Sequence, residues 1–433
     1  MQIHVVRQGQ TLSGIAQAYS TTPTDIIEAN ELPNPDRLVV GQALVIPIVG
    51  RFYFVQPGDT ITSIARRFNI TTARLIEINQ LNPNTPLRVG LRLYIPARPK
   101  REAEINAYVE PRGDTVTEEL QQSSRNAAPY LTYLAPFSFQ VLRDGSLKEP
   151  PLTNLLDIAA GENVTLMMVL TNLENDAFSD ELGRIILNDM NVQNKLLDTI
   201  VTTAKKYNFK DIHFDFEFLR PADKDAYNRF LRKAKERFRK EGWLMSTALA
   251  PKTSADQKGK WYEAHDYKAH GEIVDFVVIM TYEWGYSGGP PMAVSPIGPV
   301  RDVLEYAITE MPSEKIMMGQ NLYGYDWTLP FQQGGDFAKA VSPQAAIQLA
   351  ADNNEAIEYD TTAQAPHFNY RKDGKEHEVW FEDARSIQAK FDLIKELNLR
   401  GISYWKLGLS FPQNWLLITD NFNVVKNPTA RFY

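Results

Sequence analysis

The stretch DIHFDFEF, residues 211–218, sets apolar Ile212, Phe214, Phe216 and Phe218 against polar His213, Asp215 and Glu217. On a strand, side chains two apart point the same way. A histidine and two carboxylates therefore share one face. Two acids so close repel when both are ionised, so one pKa rises and that group holds a proton near neutral pH. That is the requirement for a general acid. Other apolar runs end in residues suited to a sugar: Tyr282 and Glu283 in MTYEW, Tyr323, Tyr325 and Asp326 in NLYGYDW, and Trp405 in GISYWKL. Aromatic rings stack on the C–H faces of a pyranose, and polar groups around them fix its orientation.

The elements that must position these residues follow a strand–helix rhythm from residue 105 onward. Candidate strands are INAYVEP, YLTYLAPF, VTLMMVLT, DIHFDFEF, LMSTALAP, DFVVIMTY, IMMGQNLYG and GISYWKL, and amphipathic stretches such as DKDAYNRFLRKAKERFRKEG separate most of them. The pattern predicts an α/β chain closed as a (β/α)8 TIM barrel over 103–433. Active sites of such barrels lie at the C-terminal strand ends, where these polar residues fall. The rhythm breaks at about 328–384, which reads as a small α+β insertion. KAKERFRKEG, 233–242, reads as a solvated helix face. Trp261, Tyr262, Trp284 and Tyr286 either line a cleft or fill space under loops.

The first hundred residues are an internal repeat. Residues 3–47 fall on 52–96 without a gap, pairing Gly9 with Gly58, Thr11 with Thr60, Asn30 with Asn79 and Gly41 with Gly90. Such a period marks duplicated supersecondary units, here strand–helix–helix–strand. VRQGQTLSGIAQAY…VGQALVIP and VQPGDTITSIARRF…VGLRLYIP resemble two LysM domains, over 1–48 and 50–97. The resemblance implies βααβ modules that bind glycans containing N-acetylglucosamine. It places the binding loops at Gly9, Gln10, Thr11, Asn30 and Leu32, and at Gly58, Asp59, Thr60, Asn79, Leu81 and Pro83. The same residue types also serve as turns and helix caps. Two weak modules on one chain would add retention through effective concentration. ARPKREAE, 97–104, reads as a linker.

Composition narrows the class. The 433 residues are 43% hydrophobic and carry a net charge of −7, which argues against a nucleic-acid partner. There is no cysteine, so disulfides and thiolate chemistry are excluded. MQIHVVRQGQTL lacks the basic and apolar regions of a secretory signal, and no run is long and apolar enough for a membrane span. The six histidines form no paired motif for a metal; no cofactor is expected. A monomer is expected.

KDIHFDFEF resembles the D-x-x-D-x-D-x-E signature of family 18 glycoside hydrolases, and MTYEW, LYGYDW and SYWKL resemble that family's motifs after strands six, seven and eight. With the LysM pair, the layout is similar to spore N-acetylglucosaminidases of the YaaH/SleL type. The resemblance implies that Glu217 protonates the glycosidic oxygen. It implies that Asp215 orients the substrate acetamide, that Tyr282 bonds the acetamide oxygen and that Trp405 floors the −1 subsite. The resemblance also offers Glu283, Tyr323 and Asp326 as substrate contacts, and His213 is expected beside them. In this family the acetamide oxygen is the nucleophile and forms an oxazolinium ion, an exception to the two-carboxylate scheme.

Two departures stand out: Lys210 and His213 occupy signature aspartate positions. A histidine there is either a satisfied core group or a titrating neighbour. The second alternative predicts that Asp215 ionises readily and that activity falls in acid as His213 charges. The resemblance implies a hydrolase of spore cortex peptidoglycan acting in the outer spore layers at germination. The rivals are an inactive glycan-binding coat protein and a chitinase-type endo-glycosidase.

Overall fold

The computed structural model describes residues 1–429. Eight parallel strands close a ring: Arg101–Val109, Tyr133–Pro136, Thr165–Thr171, Asp211–Asp215, Leu244–Leu249, Phe276–Ile279, Ile316–Asn321 and Gly401–Trp405. Each pairs with the next, and the eighth returns to the first with Gly401 opposite Glu104. All eight runs read from the sequence are strands. The first begins at Arg101, so the linker is shorter than 97–104.

Alternation along the strands divides two cores. Ile212 and Phe214 of the fourth strand face outward into the helix layer. There, Phe230 and Phe238 of the helix Lys224–Arg239 stand 5.3 and 6.3 Å from the Phe214 ring. Each such buried phenylalanine contributes about 1.5–3 kcal/mol. Tyr108, Tyr133, Met167, Phe276 and Met317 fill the barrel interior. At its lower end Arg400 meets Glu104 at 2.7 Å, and the Tyr133 hydroxyl donates to the same carboxylate. The mouth lies at the opposite end, where the strands reach their C-termini.

Between strands seven and eight lies a five-stranded antiparallel sheet whose first strand is Gly324–Leu329, earlier than the expected boundary. The helix Pro343–Asn353 packs on one face of this sheet. The two N-terminal modules are each a two-stranded sheet with two helices: Leu12–Ala18 and Pro23–Asn30 in the first, Ile61–Arg67 and Thr72–Asn79 in the second. Among the described residues, no helix is long and apolar enough to cross a membrane.

Candidate active site

Asp211, His213 and Asp215 point inward in sequence along the fourth strand, and all are buried. Glu217 lies just past the strand end. Asn172, at the end of the third strand, fixes it there. Its Oδ1 accepts the Glu217 N–H at 3.0 Å, and its Nδ2 donates to the Glu217 carbonyl at 2.9 Å. One carboxylate oxygen of Glu217, Oε2, accepts the Trp261 indole N–H at 2.6 Å. Trp261 lies flat against Phe218, with centroids 6.1 Å apart.

Burial raises both acids of the pair. Asp215 is driven well above the usual carboxylate range by burial and then by the charge of Glu217. Glu217 is pushed up to about 7, chiefly by burial, against the Trp261 hydrogen bond. The two carboxyls interact strongly, so any titration belongs to the pair. Asp215 Oδ1 is buried with no hydrogen-bond partner.

His213 does not play the part of a titrating neighbour. Its Nε2 is 2.8 Å from the Tyr108 hydroxyl and its Nδ1 2.8 Å from Ser246 Oγ. Ser246 donates its proton to Asp211 at 2.6 Å, so it accepts from His213 Nδ1–H, and Tyr108 donates to Nε2. Burial lowers the imidazole pKa to about 3. The ring stays neutral, fully enclosed and out of reach of substrate. The expectations of acid inactivation through His213, of a readily ionised Asp215 and of His213 as a substrate contact are therefore corrected. The Asp211–Ser246–His213–Tyr108 chain is a satisfied core network. Asp211 and Ser246 were missed because both lie below the strand end.

An aromatic bowl surrounds the pair. Tyr282 and Tyr323 cluster with Ala248, Met280 and Val294, and Trp261, Tyr325, Trp405 and Leu409 pack against them. Trp405 meets Phe137 edge-on at 4.8 Å. Glu283 adopts a left-handed backbone, φ 67°. Its Oε1 accepts both the Tyr323 hydroxyl and, at 3.0 Å, the Tyr325 hydroxyl. Tyr282 sits beyond the sixth strand against Gly319. A methyl group on Gly319 would lie 2.4 Å from the Ile279 carbonyl oxygen and 2.9 Å from the Tyr282 ring. Gly319→Ala therefore displaces the phenol. Overpacking of this kind costs about 1–3 kcal/mol. A fall in kcat/KM of roughly tenfold with a lower Tm is expected from steady-state kinetics and thermal melting.

Asp326 does not join the bowl. Tyr325 and Asp326 are adjacent on a strand, so they face opposite sides of the insertion sheet. Asp326 lies on the side covered by the helix Pro343–Asn353. Its oxygens accept from Tyr370 at 2.6 Å and meet His377 Nδ1 at 3.0 Å. It is a structural residue of the insertion. Of the remaining aromatics, Trp284 packs against the main core, Tyr262 lies 5.5 Å from Trp261 and Tyr286 is exposed.

The module residues fall into two groups. Gly9 and Gly58 form turns with positive φ, and Thr11 and Thr60 cap helices. Gln10 Oε1 accepts the Arg7 N–H and meets His4 Nε2, and Asp59 Oδ2 accepts the Gln56 N–H and the Tyr53 hydroxyl. Leu32 and Leu81 pack on the module cores, and Pro83 is exposed. Asn30 is fully buried and Asn79 half-buried. Both bond the returning strand, Asn30 through Val45 and Asn79 through Tyr94. These two side chains hold the modules together and are not offered to a glycan, which corrects the expectation for them.

A buried carboxyl pair with raised pKa values at the mouth of a parallel barrel, beside a bowl of aromatics, is built to cleave a sugar bond. The chain belongs to the glycosyl hydrolases family 18, whose model matches residues 107–409. LysM domain models match 4–47 and 53–96. The chain is 72% identical to the cortical fragment-lytic enzyme of Bacillus subtilis (strain 168), over 98% of this chain and 99% of that one. It is 57% identical to the Bacillus anthracis enzyme of the same name, with the same coverage. It superposes on the crystal structure of the Bacillus megaterium QM B1551 spore cortex-lytic enzyme SleL with TM-score 0.91 and 59% identity, covering 99% of both chains.

The pH dependence follows from the pair. Glu217 must hold its proton to act as an acid, and burial pushes it up to about 7 in the free enzyme, so kcat/KM falls roughly tenfold per pH unit once the pair has lost that proton. The Trp261 hydrogen bond favours the carboxylate, so removing it raises the Glu217 pKa. Trp261→Phe, which removes the N–H donor and keeps an aromatic ring, is expected to move the alkaline limb to higher pH in a pH–rate profile. An unmoved limb would count against Glu217 as the titrating acid.

Proposed function

We propose that the protein is an N-acetylglucosaminidase that hydrolyses spore cortex peptidoglycan and its fragments with retention, using the substrate's own acetamide as nucleophile. Glu217 gives its proton to the glycosidic oxygen as the C1–O bond breaks. The acetamide carbonyl oxygen attacks C1, and Tyr282 donates a hydrogen bond to that oxygen. Asp215 accepts the acetamide N–H and, once ionised, balances the positive charge of the oxazolinium ion. Water then opens this ion, and its proton returns to Glu217.

The observation that carries this reading is the buried Asp215–Glu217 pair at the barrel mouth, both acids raised by burial, with Asp215 Oδ1 unpartnered. The similarity to cortical fragment-lytic enzymes over nearly the full chain supports the choice of polymer. The chemistry then selects the bond. Muramic-δ-lactam carries no N-acetyl group and cannot supply the nucleophile, so the bond cut lies on the reducing side of N-acetylglucosamine. Mass spectrometry of purified cortex digests should show N-acetylglucosamine reducing ends. Muramic-lactam reducing ends would overturn the assignment. The protein acts as a monomer in the outer layers of the spore. Light scattering and localisation of a tagged chain in spores test these two points.

A further inference from the structure

The two LysM modules have different surroundings. The first is set into the catalytic domain. Val45 and Ala43 of its second strand belong to the main barrel core, and Val39 belongs to the core of the insertion. Gln413, on the helix Pro412–Asn421 of the barrel, donates to Asn30 Oδ1 at 2.7 Å and to the Ala43 carbonyl at 2.9 Å. The Ile357 N–H donates to the Val40 carbonyl at 2.8 Å. Gly41 passes so close that a methyl group there would lie 1.8 Å from the Ile357 oxygen.

The second module has none of this. At the positions matching Val39, Ala43 and Val45 it carries Arg88, Arg92 and Tyr94, and Val89 is 64% exposed. A methyl group on Gly90, the match of Gly41, would meet nothing within 4 Å. Gln80, Asn82, Pro83 and Asn84 are exposed.

The loop after the second helix differs most. In the first module the carbonyls of Asn30 and Glu31 both accept, at 3.0 Å, from the Gln344 carboxamide of the insertion. A primary amide of the chain's own thus occupies two carbonyl acceptors of this loop. The space left between this loop and the helix Pro343–Asn353 is about 20 Å³, room for a single water and too small for a sugar ring. Among the described residues, no side chain donates to the matching carbonyls of Asn79 and Gln80.

We infer that the second module alone grips the glycan, and that the first is a fixed bracket whose sugar loop is occupied by Gln344. This rests on the glycan-binding reading of the LysM fold, and its test is made by retention rather than turnover. The full chain carrying Glu217→Gln, which removes hydrolysis, is applied to chitin beads, a neutral N-acetylglucosamine polymer. Asn82→Glu with Pro83→Glu in the second module should lower retention at least tenfold. The matching Pro33→Glu with Asn34→Glu in the first should change it less than twofold.

Gln413→Ala serves as a structural control: it should lower the melting temperature and leave retention unchanged. Equal losses from the two loop pairs, a larger loss from the first or no loss from the second would overturn the inference. A parent chain that is not retained at all would overturn the glycan-binding reading and this inference with it, while leaving the hydrolytic assignment to the digest experiment.

Discussion

A Glu217→Gln protein folds normally and loses turnover of cortical fragments by a factor on the order of 10²–10⁴, the usual contribution of a positioned general acid. The substitution is conservative where it matters for folding. The amide oxygen still accepts the Trp261 indole N–H, and the backbone clamp from Asn172 is untouched. What disappears is the one transferable proton in a buried site. Release of new reducing ends measures the loss, and circular dichroism melting confirms the fold. A variant within tenfold of the parent would mean that another group protonates the leaving oxygen.

The second large effect lies in the substrate. An intramolecular nucleophile in the right geometry is equivalent to an effective molarity on the order of 10⁵ M or more. Chemically de-N-acetylated cortex oligomers lack that nucleophile. They are expected to be cleaved at least about 10³-fold more slowly, even where they bind. Asp215 would then have lost the N–H it orients and the cation it stabilises. Competition by the de-N-acetylated oligomer against normal substrate separates failed binding from failed chemistry. Equal rates on the two polymers would remove the acetamide from the mechanism and leave Asp215 as the nucleophile to examine.

The acids themselves were legible because a period of two in eight residues fixes which side chains share a face. The bowl was legible in part, since Tyr282, Tyr323 and Trp405 all terminate apolar runs. Trp261 and Asn172 were not assigned roles from sequence, because each meets Glu217 only when a loop or a neighbouring strand end is brought beside it by closure of the ring. Asp326 was misread for a local reason: the seventh strand ends at Asn321 and a new strand begins at Gly324, so the facing of each residue is reset. His213 was misread because neither Tyr108 nor Ser246, its two partners, is near it in sequence. Asn30 looked like a loop residue, and its burial comes from the strand that returns past it and from Gln413.

The shared core between Val45 and the barrel also bears on how such proteins can be rearranged. Domains of this kind are commonly pictured as beads that recombination threads on or off at will. Here one bead cannot be unthreaded without uncovering apolar surface on the enzyme, whereas its neighbour can. A truncation that removes the first repeat should therefore leave a polypeptide less able to stay in solution, whether or not the second repeat goes with it.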